Sequence, residues 1–155
     1  MGERARILVV DDDESVRKVL ATILEEEGYA VDTAKNGRET IKKSKVKSYN
    51  LALIDIRLTD MEGTKLLTKV KDTSPKMRKI IITGYPSLQS AIETINRGAD
   101  AYILKPFEMD KVLEIIRDQL KKQQEEKKYA QEKVREFIET RVRELEKEKI
   151  ISSKD

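Results

Sequence analysis

Short runs of apolar and β-branched residues alternate with amphipathic stretches of helical length between residues 6 and 120 of this chain. The runs are Ile7–Val10, Tyr29–Thr33, Leu51–Ile54, Lys79–Ile82 and Ala101–Leu104. Each run has the length of a strand, and the stretches between runs are long enough for helices. Strands joined by helical crossovers lie parallel, and the helices cover both faces of the sheet. The pattern therefore predicts an α/β fold with a doubly wound, five-stranded parallel sheet.

Two residue types that carry much enzyme chemistry are absent, because the chain contains no cysteine and no histidine. Their absence excludes disulfides, thiolate zinc sites, cysteine nucleophiles and Ser-His-Asp triads. The 32 basic and 29 acidic residues leave a net charge of +3, which gives no strong attraction to nucleic acid or membranes. Apolar runs such as Ile80–Ile82 are too short to span a bilayer. We therefore expect a cytoplasmic protein that binds neither nucleic acid nor membrane directly.

Polar residues follow four of the five predicted strands. Asp11-Asp12-Asp13 follows the first, and Asp55, Thr83 and Lys105 follow the third, fourth and fifth. Ligands bind at the carboxyl ends of the strands in doubly wound sheets. The strand order 2-1-3-4-5 places the second strand at an edge and brings the polar residues of the other four into one cleft. Each residue alone is better explained as a helix cap, a loop acid or a surface charge, but their joint placement favours a site.

Carboxylates gathered in one cleft have an electrostatic consequence. A pair a few ångströms apart repels by about 4 kcal/mol at intermediate dielectric, so one is protonated or a cation lies between them. Oxygen ligands without histidine or cysteine favour Mg²⁺. An aspartate beside Mg²⁺ can act as a nucleophile toward a phosphoryl group, whose charge Lys105 and Thr83 are suited to stabilise.

Five segments in this order resemble the receiver domain of two-component response regulators, over about residues 5–120. They are Ile7–Asp13, Leu53–Arg57, Met61–Gly63, Ile82–Gly84 and Tyr102–Phe107. The resemblance implies a flavodoxin-like fold and phosphorylation of Asp55. It also implies Mg²⁺ ligation by Asp12, Asp55 and the backbone carbonyl of Arg57, with Asp11 acting mostly through water. Such a domain is a phospho-accepting signalling module, which catalyses only its own phosphotransfer and dephosphorylation, and not a classical enzyme.

The same resemblance implies roles for residues around the acceptor. Thr83 corresponds to the family's switch hydroxyl, Lys105 to its phosphate-binding lysine and Tyr102 to its rotating aromatic residue. The bond before Pro106 is often cis in the family. Arg57 and Tyr85 occupy the two positions that flank the approach of hydrolytic water, and both are bulky, so we expect slow self-dephosphorylation.

One departure from the family is visible, because Thr59 stands where receivers usually have proline. We expect a slightly less rigid loop there, with no catalytic group lost.

Two other functions are compatible with parts of the sequence. Asp55-Ile56-Arg57-Leu58-Thr59 partly matches the Asp-x-Asp-x-Thr motif of haloacid-dehalogenase-like phosphatases, but Arg57 occupies the position of their general acid. The other alternative is a receiver that is never phosphorylated and serves only as a scaffold. The intact set of Asp55, Thr83 and Lys105 argues against it.

The last part of the chain has a different composition. Residues 117–155 include 12 basic and 10 acidic residues and no glycine or proline. We expect a receiver domain over residues 1–120 and a charged helical extension of the fifth helix over residues 121–155, which we call the tail. An apolar stripe from Ala130 to Leu145 favours a short coiled coil, and the alternative is a simple linker.

The absence of histidine means that the phosphoryl group must come from another chain or from a small phospho-donor. We expect a sensor histidine kinase or a histidine phosphotransfer protein as donor. We expect the output to be a downstream partner protein or an output domain that is missing from this sequence. Pairing of two copies is expected through the face of the fourth helix, fifth strand and fifth helix, or through the tail.

Overall fold

A computed structural model of the chain describes residues 4–70, 73, 75–84 and 87–153. Strands and helices alternate throughout. In chain order they are β1 (Arg6–Val10), α1 (Glu14–Glu26), β2 (Ala30–Ala34), α2 (Gly37–Val46), β3 (Leu51–Asp55), α3 (Gly63–Lys69), β4 (Arg78–Thr83), α4 (Leu88–Asn96), β5 (Ala101–Leu104) and α5 (Met109–Ser153).

The strands form one parallel sheet in the order β2-β1-β3-β4-β5, which confirms the predicted topology. Its register aligns Val10 with Ile54, Asp55 with Ile82, and Thr83 with Leu104. The carboxyl ends of β1, β3, β4 and β5 therefore lie side by side at one edge of the sheet.

Successive residues of the strands point to opposite faces of the sheet and enter two apolar cores. Ile7, Leu53 and Ile80 belong to the core that also contains buried residues of α1 and α5. Leu8 and Ile54 belong to the second core, which contains Leu66 and Leu67 of α3. Every residue of β3 is buried, as expected for the middle strand of a sheet covered on both faces. This rigid centre carries Asp55 at its end.

Strand β2 begins at Ala30, one residue later than predicted. The chain leaves α1 through Gly28, whose φ of +97° is a conformation that L side chains rarely adopt. The backbone N–H of Tyr29 still donates to the carbonyl of Leu24 in α1, at 3.1 Å. Tyr29 therefore belongs to the turn that closes the helix.

The predicted continuation of α5 is confirmed, because this helix runs from Met109 to Ser153. The chain divides into two units, one ending at Gln123 and the other beginning at Gln124. Gln123 is buried, with 4% of its surface exposed. Among the described residues, no helix is long and apolar enough to cross a membrane.

Candidate functional site

The cleft at the carboxyl edge of the sheet gathers three carboxylates. Asp11 and Asp12 directly follow β1, and Asp55 is the last residue of β3. One carboxylate oxygen from each lies within 4.8 Å of the other two. Asp11 and Asp55 are buried, whereas Asp12 is exposed. The three form an oxygen-only donor set with one side open to solvent.

Lys105 brings a positive charge to the same cleft. Its Nζ lies 3.4 Å from Oδ2 of Asp11 and 3.5 Å from Oδ2 of Asp55. Its backbone N–H donates to the carbonyl of Thr83 at 2.7 Å, which links the end of β5 to the end of β4. The Lys105–Pro106 peptide bond is cis, as the resemblance implies.

The balance of charge in the cleft favours a further cation. Burial raises the pKa of Asp11, and the charge of Asp55 raises it further, while the N–H of Asp13 and the ammonium of Lys105 act in the opposite direction. Burial opposes the charge on Lys105, but the carboxylates of Asp11 and Asp55 outweigh it and raise the pKa of that ammonium. Negative charge therefore remains in excess after Lys105 has paired. A small divalent cation with oxygen preference fits this donor set.

Asp13, the third acid of the run after β1, has a structural task instead. Its side chain accepts from the backbone N–H of Val16 at 3.2 Å and caps α1. Its own N–H donates to Oδ1 of Asp11 at 2.9 Å. Arg17 of α1 donates to the Asp11 carbonyl at 2.7 Å, a contact absent from the sequence prediction. The start of α1 thus orients Asp11.

The loop between β3 and α3 contacts the Asp55 carboxylate directly. The N–H of Arg57 donates to Oδ1 of Asp55 at 3.3 Å. Gly63 closes the loop by donating to the carbonyl of Ile56 at 2.7 Å, and Arg57 and Glu62 form an antiparallel bridge across it. Arg57 itself is exposed.

Two residues of the predicted switch lie beneath the cleft. Thr83, at the end of β4, is fully buried. Tyr102 of β5 packs against the core that contains Ile54 and Ile81. Its hydroxyl oxygen is buried and has no hydrogen-bond partner among the described residues. Tyr85, the second residue expected to shield the phosphoryl group, lies outside the described residues.

Comparisons with known proteins agree with this architecture. Residues 7–117 match the family model of the response regulator receiver domain. The transcriptional regulatory protein ZraR of Klebsiella oxytoca is 39% identical over 111 residues, which are 72% of this chain and 25% of that protein. This chain therefore corresponds to about a quarter of the length of that relative.

Solved structures give the same result. A CheY-like receiver domain protein from Methanospirillum hungatei has a TM-score of 0.77 and 45% identity, over 80% of this chain and 99% of its own. A response regulator from Burkholderia pseudomallei, solved with a phosphorylated aspartic acid, a calcium ion and citrate, has a TM-score of 0.69 and 31% identity. That match covers 79% of this chain and 72% of the other. The fold, the cleft and these relatives together show that the chain belongs to the response regulator receiver family of two-component signalling.

Proposed function

We propose that this chain accepts a phosphoryl group on Asp55 from a phosphohistidine of a sensor kinase or phosphotransfer protein. The observation that carries the proposal is the convergence of Asp11, Asp12 and Lys105 on the Asp55 carboxylate. The Burkholderia relative, with its phosphorylated aspartic acid, supports it. Arg57 stands where a phosphatase of the haloacid-dehalogenase type needs an acid, so this proposal is preferred to that alternative.

Asp11, Asp12 and Asp55, with the backbone carbonyl of Arg57, would hold Mg²⁺ in this cleft. The donor chemistry fits, because each side chain supplies carboxylate oxygen and the cluster retains excess negative charge. When bound, the ion neutralises carboxylate charge and the charge that develops on the phosphoryl oxygens.

The transfer itself needs no other nucleophile. A carboxylate oxygen of Asp55 forms a bond to phosphorus while the phosphorus–nitrogen bond to the donor histidine breaks, and the imidazole leaves with its electron pair. The Arg57 N–H holds Oδ1 of Asp55, and the ammonium of Lys105 lies beside Oδ2. Lys105 is therefore suited to pair with a phosphoryl oxygen once the acyl phosphate has formed.

Phosphorylation would then change the packing beneath the cleft. The new charge attracts the Thr83 hydroxyl, which is buried at the end of β4. Tyr102 can follow into the space left behind, because its hydroxyl gives up no hydrogen bond to a described residue when the ring rotates. The face of α4, β5 and α5 would present the result to a partner protein, an output domain or a second copy. The bulky side chain of Arg57, two residues after the acceptor, would slow the attack of water on the acyl phosphate.

A mass measurement tests the proposal. The full chain is incubated with acetyl phosphate and Mg²⁺, and its intact mass is recorded. We expect one phosphoryl adduct that is absent in EDTA and absent in Asp55→Asn. Asp13→Asn is a matched control, because it removes an acid that caps α1 and lies outside the carboxylate cluster. An adduct that survives Asp55→Asn, or forms equally well in EDTA, contradicts the site assignment.

A further inference from the structure

The first turn of α2 is capped by a residue from a distant part of the chain. The backbone N–H of Gly37 donates to Oδ1 of Asp60, and the N–H of Arg38 donates to Oδ2, both at 2.9 Å. The next amide, the N–H of Glu39, donates to Oδ1 of Asn36, the residue that precedes the helix. Asp60 thus satisfies half of the amides that a helix start leaves without intrahelical partners.

Asp60 belongs to the loop of residues 56–62, which joins β3 to α3 and carries Arg57. At its base the loop is closed by the Gly63 to Ile56 hydrogen bond, and a Cβ at Gly63 would lie 2.5 Å from the carbonyl oxygen of Asp55. At its tip the loop is held by the two bonds from Asp60 to α2.

The tip approaches α2 very closely. A Cβ added to Gly37 would lie 2.5 Å from Sδ of Met61, so a larger residue at this point would have to displace the Met61 side chain. The favourable interaction of a carboxylate with a helix start adds to the two hydrogen bonds. The two hydrogen bonds, from the N–H groups of Arg38 and Gly37, are the largest causes that hold the pKa of Asp60 below its usual value. Residue 59 is threonine and not the proline usual in receivers, so no proline ring restrains the backbone beside Asp60. The contacts with α2 therefore hold the tip in place.

We propose that Asp60 is a positioning residue, which ties the loop of residues 56–62 to α2 and thereby holds Arg57 in place against the Asp55 carboxylate. Its effect reaches the acceptor through the Arg57 N–H, which donates to Oδ1 of Asp55. The same tie fixes the Arg57 carbonyl, which we assign to Mg²⁺. The inference therefore rests on the proposed function for its consequence, though not for its geometry.

Asp60→Asn tests the proposal with little change in shape. An amide side chain accepts through one oxygen only and carries no charge, so one of the two bonds to α2 is lost. Loss of a group that orients metal ligands typically weakens metal binding 10–100-fold, so we expect the Mg²⁺ dissociation constant to rise about tenfold. Asp60 is exposed, so the variant is expected to fold. Calorimetric Mg²⁺ titration of the full chain measures the affinity, and hydrogen exchange measures protection of the Arg57 amide.

Asn36→Ala is the matched control. It removes a cap at the same helix start, the bond from the Glu39 N–H at 2.8 Å, but it leaves the loop tied to α2. We expect a similar loss of thermal stability, a Mg²⁺ dissociation constant within twofold of the unchanged chain, and unchanged protection of Arg57.

Equal weakening of Mg²⁺ binding by both variants would reduce Asp60 to a helix cap and overturn the proposal. Unchanged affinity and protection in Asp60→Asn would overturn it as well. If the unchanged chain accepts no phosphoryl group on Asp55, the proposed function fails, but the exchange of the Arg57 amide still decides whether Asp60 positions the loop. If the unchanged chain binds no Mg²⁺, the assigned metal site and the expected change in affinity fail, and the exchange of the Arg57 amide still decides whether Asp60 positions the loop.

Discussion

Gly63 lies against the backbone of Asp55, with no room for a side chain between them. A Cβ at Gly63 would be 2.5 Å from the Asp55 carbonyl oxygen and 2.9 Å from the Cα of Ile56, and neither atom belongs to a side chain that can move aside. The start of α3 and the end of β3 therefore form one unit. Any substitution at Gly63 must displace the backbone that carries Asp55, the proposed phosphoryl acceptor.

Gly63→Ala is expected to destabilise the domain and to slow phosphorylation. Forced overpacking of a methyl group costs about 1–3 kcal/mol, and the strain falls on the residues that hold the Asp55 carboxylate. Urea unfolding measures the stability, and the rate of adduct formation with acetyl phosphate measures the second effect. Gly84→Ala is the control, because a Cβ there makes only ordinary contacts, the nearest at 3.7 Å from Cβ of Lys105. Equal losses in both variants would contradict this explanation.

Asp11→Asn is expected to stabilise the metal-free domain. Burial and Asp55 raise the pKa of Asp11, so the folded state binds a proton more tightly than the unfolded state and its ionisation near pH 7 costs stability. Removing a charge in this way commonly gains about 0.5–2 kcal/mol. Because the variant lacks a ligand, millimolar Mg²⁺ should stabilise it less than the unchanged chain. Thermal unfolding with and without Mg²⁺ measures both effects, and equal Mg²⁺ stabilisation of the two proteins would contradict Asp11 as a ligand.

The sequence predicts the sheet and the main site residues because their signals are local. The periodicity of the third strand predicts that Asp55 lies at its carboxyl end, and the short fifth strand predicts the same for Lys105. Contacts that depend on tertiary approach leave no comparable signal. Asp60 caps a helix that begins 23 residues earlier, and Arg17 reaches the carbonyl of Asp11, just after the preceding strand. Neither residue differs in type or spacing from an ordinary surface charge, so only the folded structure identifies their tasks.

Acidification should release the tip of the loop of residues 56–62 from α2. The pKa of Asp60 is lowered in the folded state, so its contribution to stability is present above the ordinary carboxyl pKa and is lost as pH falls through the lower, folded value. The amide shifts of Gly37 and Arg38, followed by NMR, should therefore titrate together with a midpoint below about 3.9. A shared midpoint at or above that value would show that the carboxylate is not held by these amides.

Gln123 is expected to contribute to stability although it lies in a polar stretch. Its Nε2 donates to the carbonyls of Asn50, at 2.9 Å, and Lys76, at 2.8 Å, where β3 and β4 are about to begin. Hydropathy alone assigns this glutamine to the exposed tail, because a buried amide that is fully hydrogen-bonded has no apolar signature. Gln123→Ala removes both bonds and, at about 0.5–1.5 kcal/mol for each, should cost about 1–3 kcal/mol.

The neighbouring glutamine provides the control for this measurement. Gln124 is exposed, so Gln124→Ala should change the free energy of unfolding by less than about 0.5 kcal/mol. Equal effects of the two substitutions in urea unfolding would show that the hydrogen bonds of Gln123 contribute nothing beyond helix propensity.

The apolar stripe of the tail is expected to pair weakly with the tail of a second copy. Its residues are largely exposed, including Phe137 at 72% and Ile138 at 53%. Arg141 lies near the stripe and pairs with Glu144 of its own helix at 3.1 Å, so a partner helix would have to accommodate a charge there. Ile138→Lys should abolish any self-association of the full chain seen by sedimentation equilibrium at several hundred micromolar. Thr140→Lys adds the same charge about 200° away around the helix and should leave association unchanged. If the unchanged chain sediments as a monomer throughout, the tail is a linker.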